Sequence, residues 1–171
     1  MEQIVQNFLS ELKSGWPNGA QLARILIRLT AAALLGAVIG FQRERMGKAA
    51  GLRTHMLVSA GAALFVVACI ESGMSSDGLS RVVQGLATGI GFIGAGAILK
   101  LAEQHHIIGL TTAASIWMTA AVGVALGLGR WGLALVSVVL TWGILTVVGR
   151  LEFRIKKRRE DESGSVVEPK A

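Results

Sequence analysis

Five stretches of the chain, near residues 20–41, 54–70, 82–101, 110–128 and 131–149, are apolar almost without interruption. About 30 Å of hydrocarbon is crossed by roughly 18 to 20 helical residues, and the five stretches approach or exceed that length. Strands of a membrane barrel would alternate apolar and polar side chains over about ten positions, and none of the five does so. Lipid offers no water to the peptide groups, so each stretch must satisfy its backbone within a helix. Only 16% of the 171 residues are charged and 52% are hydrophobic, a balance foreign to soluble domains of this length. The expected fold is an all-α integral membrane protein, a bundle of about five transmembrane helices.

The distribution of lysine and arginine predicts how the chain is threaded. Of 17 such residues, twelve fall in the first loop, the third loop and the tail: Arg43, Arg45, Lys48, Arg53, Lys100 and seven beyond residue 149. Lys13, Arg81, Arg130, Arg24 and Arg28 belong to the opposite side. The first loop and the tail are therefore expected in the cytoplasm and the amino terminus on the outer side of the membrane. Residues 1–19 lack the basic start and apolar run of a cleavable signal peptide. Ile4, Val5, Phe8, Leu9 and Leu12 share one helical face, which predicts a short interfacial helix with Trp16 at the headgroup level. The organisation expected is an interfacial helix over 1–19, a membrane domain over 20–149 and a basic tail over 150–171 lying along anionic lipid.

Arg24 and Arg28 share a face of the first span, where snorkelling to the outer headgroups competes with pairing to Glu71 or Asp77. Cys69 stands alone, which excludes an intrachain disulfide. In the third span Gly85 and Gly89 have the four-residue spacing that lets helix backbones approach in lipid, so they are assigned to a packing seam. The fourth span opens GLTTAASIWMTAAVG, with Thr111, Thr112, Ser115 and Thr119 at helical spacing. An offset of 58 residues places Gly36 on Gly94, Gly51 on Gly109 and Thr54 on Thr112, a weak sign of an internal repeat of two hairpins.

Three blocks, "GFQRERMGKAAGLRTHMLVSAGAALF", "QGLATGIGFIGAGAILK" and "GLTTAASIWMTAAVG", together resemble the signature of the MgtC/SapB family of bacterial inner-membrane proteins. The resemblance extends over about residues 29–149. It implies a membrane domain of about five helices with a periplasmic amino terminus. It also implies a part in adaptation to magnesium limitation, acid stress and intracellular survival, some members regulating other membrane proteins rather than pumping. The family prototype carries an ACT-like domain after the last span. The 22 residues that follow the last span here are too few for one, so the membrane part is expected to carry the function.

The threading brings the three blocks to the cytoplasmic side. The expected constellation combines Arg43, Glu44, Arg45, Arg53, Thr54 and His55 with Gln84, the exposed backbone of Gly91, Gly94 and Gly96, and the hydroxyls of Thr111, Thr112 and Ser115. Glu44, between two arginines, is expected to form an ion pair that fixes the loop, and the surrounding positive charge opposes a magnesium-ligand role. His55 reads as hydrogen-bonded at a helix start or as a pH-responsive group. His105 and His106 read as solvated loop residues. No phosphate loop, metal-ligand cluster or nucleophile and base pair is recognisable, so neither an enzyme nor a cofactor is expected. Nucleic acid is not expected either, since topology and lipid contact account for the net charge of +6. A regulator that binds membrane proteins and forms a homo-oligomer is the leading expectation. The alternative is a small transporter or channel for an anion or protons.

Overall fold

The computed structural model describes residues 1–101, 106–151, 154, 155 and 158. His105 and most of the tail lie outside them. Helix α1 (Glu2–Ser14) leads into α2 (Gly19–Arg45), α3 (Leu52–Glu71) and α4 (Ser76–Gly96). A small antiparallel hairpin, β1 (Leu99–Leu101) with β2 (His106–Ile108), pairs Leu99 with Ile108. Helices α5 (Leu110–Gly127) and α6 (Trp131–Gly143) follow, and α6 continues into a π-helical turn over Ile144–Val148. Among the described residues four helical segments are long and apolar enough to cross a membrane: Gly19–Arg45, Leu52–Glu71, Leu110–Gly127 and Trp131–Leu151. Helix α4 has 21 residues, the length of a span, but Asp77, Arg81, Gln84 and its glycines leave it less apolar than the five-span expectation assumed.

Helix boundaries follow the capping chemistry. Asn18 starts α2 with a reciprocal box: its side chain accepts from the Gln21 amide at 2.8 Å and its own amide donates to Gln21 Oε1 at 3.0 Å. Ser75 caps α4, and Asp77 lies in the first turn, where the helix dipole favours negative charge. The third helix therefore begins six residues before the sequence-predicted start at 82. It ends at Gly96, because residues 99–101 pair as a strand rather than extend the span to 101. Gly109, at φ +97°, lets the hairpin turn into α5 against the Ala97 carbonyl.

Helix α3 is the centre of the bundle, and glycines on its neighbours set the distances. A Cβ on Gly36 would fall 2.9 Å from Ser59 Cβ, and one on Gly40 2.8 Å from Leu52 Cα. On the other side a Cβ on Gly123 would meet the Ser59 carbonyl, and one on Gly127 would lie 2.7 Å from Val66 Cβ. Both pairs are four residues apart, so each glycine face admits α3 at backbone distance. Contacts run in opposite directions between α2 and α3, but in the same direction between α3 and α5, which makes the latter pair parallel. Helix α4 and the hairpin supply the crossover that a parallel pair requires.

Among the described residues nothing comes within 4 Å of a Cβ at Gly85 or Gly89, which line a groove beside Phe65 of α3, so the packing seam expected there is not filled within the chain. They sit on the face of α4 turned away from α5. The apolar face of α1 is likewise bare, with Ile4, Val5, Phe8 and Leu9 exposed.

Candidate functional site

Helix α2 was expected to end at Phe41, with Arg43, Glu44 and Arg45 in a loop. The helix runs on to Arg45, and basic residues in its last turn suit the negative end of its dipole. Successive residues of a helix point about 100° apart, so the four polar residues of that turn go to four places. Gln42 turns toward the α6 continuation, where its amide donates to the Thr146 hydroxyl. Arg43 turns toward α5 and donates from Nη2 to Thr112 Oγ1 at 2.9 Å. Glu44 reaches the start of α3, where its carboxylate accepts from the Leu52 amide at 2.7 Å. Arg45 lies over the Phe41 ring, 4.3 Å from its centroid.

Glu44 therefore caps a helix rather than closing the expected ion pair. The reason is local: the residue before α3 is Gly51, which has no side chain to offer the first-turn amides. A Cβ on Gly51 would fall 2.8 Å from Glu44 Oε2, so the glycine also makes room for the substitute cap.

Arg43 is only 2% exposed. Removing such a charge from water costs several kcal/mol unless partners compensate, yet its Nε has no hydrogen-bond partner. His55 is fully buried beside it and links α3 to α5. Its Nδ1 donates to the Gly51 carbonyl at 2.8 Å, and its Nε2 lies 3.2 Å from Ser115 Oγ. Ser115 in turn donates to the Thr112 carbonyl at 2.8 Å, and Thr119 to the Ser115 carbonyl at 2.8 Å. With its hydrogen on the Thr112 carbonyl, Ser115 can only accept from His55. A neutral ring with Nδ1 protonated would instead require the Ser115 hydroxyl to turn toward Nε2 and leave that carbonyl.

Of the sequence-predicted constellation, Arg43, His55, Thr112 and Ser115 form this closed network, with Glu44 at its edge. Arg53 is exposed and Thr54 half-buried, since a helical position one or two residues from His55 points away from it. Gly94 is buried, and a Cβ there would lie 3.5 Å from Ala113 Cβ, whereas Cβ atoms on Gly91 and Gly96 would meet nothing within 4 Å. Gln84 is exposed on the outward side of α4, away from the network. Sequence reasoning missed Gln42, Thr146 and the buried Ser59. The signal for Gln42 was an uncharged polar side chain inside a charged run, the residue of that run least costly to bury.

Thr111 does not join the network. It lies on the wall of an open cavity of about 610 Å³ between the ends of α2, α5 and the α6 continuation, together with Arg43, Lys48, Arg150 and Arg154. Among the described residues no group of three or more His, Cys, Asp or Glu is placed to hold a metal ion.

Over residues 29–154 the chain matches the MgtC family model. The chain belongs to the MgtC family. The chain is 46% identical over 144 residues to protein SrpB of Synechococcus elongatus, covering 78% of both chains. It is 43% identical over 143 residues to YhiD of Escherichia coli K12, whose name assigns it provisionally to magnesium transport, over 80% of this chain and 66% of YhiD. Protein MgtC of Salmonella typhimurium is 41% identical over 115 residues, which are 67% of this chain and 48% of MgtC. The chain thus spans between about half and four-fifths of the length of these relatives. No solved structure matches it. With four apolar spans and this family membership, it is a multi-pass membrane protein.

Proposed function

We propose that this MgtC-family chain is an inner-membrane regulator that binds other membrane proteins, in the setting of magnesium limitation, acid stress or intracellular survival. It lies with its amino terminus in the periplasm and its basic end in the cytoplasm, α4 serving as the fifth span and α1 resting on the outer interface. It performs no catalysis, and it assembles through helix contacts with itself or with a partner.

The observation that carries this reading is the outward face of α4. Gln84, Gly85, Thr88 and Gly91 lie within one side of the helix and all are exposed. Thr88 spends its hydroxyl on the Gln84 carbonyl at 3.0 Å, but the Gln84 amide at mid-helix faces outward. A glutamine amide in hydrocarbon is costly, and flanking glycines admit another backbone closely, so such a face suits a second helix better than lipid. His55 and Ser115 are buried and bonded to each other inside the bundle, which supports the same reading because a transport path needs polar groups open to water.

A photo-crosslinking residue at position 88, introduced in whole cells, tests it. The expected result is a discrete crosslinked membrane partner or dimer that Gly85→Leu abolishes. Diffuse labelling of lipid alone would refute it. The cationic cavity favours the second reading, transport of an anion or protons. Flux into liposomes that is abolished by Arg150→Gln with Arg154→Gln would establish that reading instead.

A further inference from the structure

We propose that the cavity at the basic end of the bundle binds a phosphate group, and that the phosphate it takes is the headgroup of an anionic phospholipid. This site stands whether the chain regulates or transports.

Four cations from three segments converge on it: Arg43 from α2, Lys48 from the connection to α3, and Arg150 and Arg154 beyond the π-helical turn. Among the described residues no carboxylate lines it. Like charges gathered in a concave site raise each other's cost, and an anion between them removes that cost. Arg43 carries the most specific sign. The residue is 98% buried at the cavity wall and its guanidinium is fixed by Thr112, yet its Nε has no partner among the described residues.

The start of α5 adds a second donor set. Its cap residue is Gly109, which makes no side-chain hydrogen bond to the first-turn amides, and Thr111 of that turn lines the cavity. Uncapped amides at the positive end of a helix suit a phosphate oxygen. The remaining wall is apolar and belongs mainly to the π-helical turn, with Met46 at the end of α2; Ile144 and Val148 of the π-helical turn are 53% and 45% exposed. Free phosphate would engage the cations and leave that wall bare. A lipid phosphate engages the cations while its acyl chain covers the wall, as basic pockets between membrane helices do for anionic headgroups.

The test uses the full chain purified in a neutral detergent and native mass spectrometry, with phosphatidylglycerol, phosphatidylcholine and inorganic phosphate as probes. Phosphatidylglycerol is expected to be retained over phosphatidylcholine, and K48Q/R150Q/R154Q to weaken it roughly tenfold or more. The control R24Q/R81Q/R130Q removes the same charge from the opposite end and should leave retention unchanged. Thr111→Asp gives a second, fold-preserving variant, because an acid in the first turn favours the helix while repelling an anion; it too should abolish retention. Saturable binding of inorganic phosphate that displaces the lipid and shows the same variant dependence would keep the phosphate site and overturn the lipid source. Equal retention by the cavity and control variants, or by Thr111→Asp and the parent chain, would overturn the site.

Discussion

Alanine at Gly123 and alanine at Gly85 are chemically the same change in two helices that read alike, and the structure separates them by about 3 kcal/mol. At Gly123 the new methyl would stand 2.2 Å from the Ser59 carbonyl oxygen and 3.0 Å from Ala62 Cβ. The atom struck is backbone, so no rotamer change relieves it, and α5 must move away from α3 by about 1 Å to restore ordinary contact. Overpacking of this kind costs about 1–3 kcal/mol, here toward the upper end, offset by about 1 kcal/mol of improved helix propensity. The expected net loss is about 2 kcal/mol. At Gly85 nothing stands within 4 Å, so only the propensity term remains, a gain of up to about 1 kcal/mol. Reversible unfolding in mixed micelles with increasing SDS, followed by circular dichroism on monomeric protein, measures both variants. The assignment of the internal seam to Gly123 fails if Gly85→Ala is as destabilising as Gly123→Ala, or if Gly123→Ala is neutral.

Arg28 neither snorkels freely nor pairs with Glu71 or Asp77; its Nη1 donates to the Gly127 carbonyl at 2.8 Å, at the negative end of α5. Arg28→Met should therefore cost about 1–2 kcal/mol in the same assay, while Arg24→Met, at an exposed position, should stay within about 0.5 kcal/mol. Equal effects would rule out the cap. Glu44→Ala should cost about 1 kcal/mol and speed hydrogen exchange in the first turn of α3, whereas Glu44→Gln, which keeps an acceptor for the Leu52 amide, should lose less. Unchanged exchange at residues 52–54 in Glu44→Ala would contradict that role.

The helices were legible because hydrocarbon thickness imposes a length and because lipid forbids unpaired backbone. Their ends were less so. Nothing local in Gln42–Arg45 announces that a charged run will stay helical. That outcome depends on Thr112 and Thr146, about 70 and 104 positions further on, which bond Arg43 and Gln42. The site was partly legible for a related reason. His55, Thr112 and Ser115 stood out because polar groups at helix starts are few in so apolar a chain. Glycine spacing discriminated poorly, since Gly36 with Gly40, Gly85 with Gly89, and Gly123 with Gly127 all carry the same interval. Only the fold shows which of these faces meets a neighbour.

Helices in lipid gain little from burying apolar surface against one another, so their register has to come from close packing and a few polar bonds. In this chain those bonds are placed where they act together. Arg28 and Arg43 are fifteen residues apart on α2, and their acceptors Gly127 and Thr112 are fifteen residues apart on the antiparallel α5. Both separations correspond to about 22 Å of helix. A slip of one residue would displace both contacts by about 1.5 Å at once, so the two bonds are stretched together from 2.8 and 2.9 Å. Two arginines near opposite ends of one span thus fix its height against α5. That setting places Arg43 at the start of α5, next to Thr111, where the cationic cavity opens.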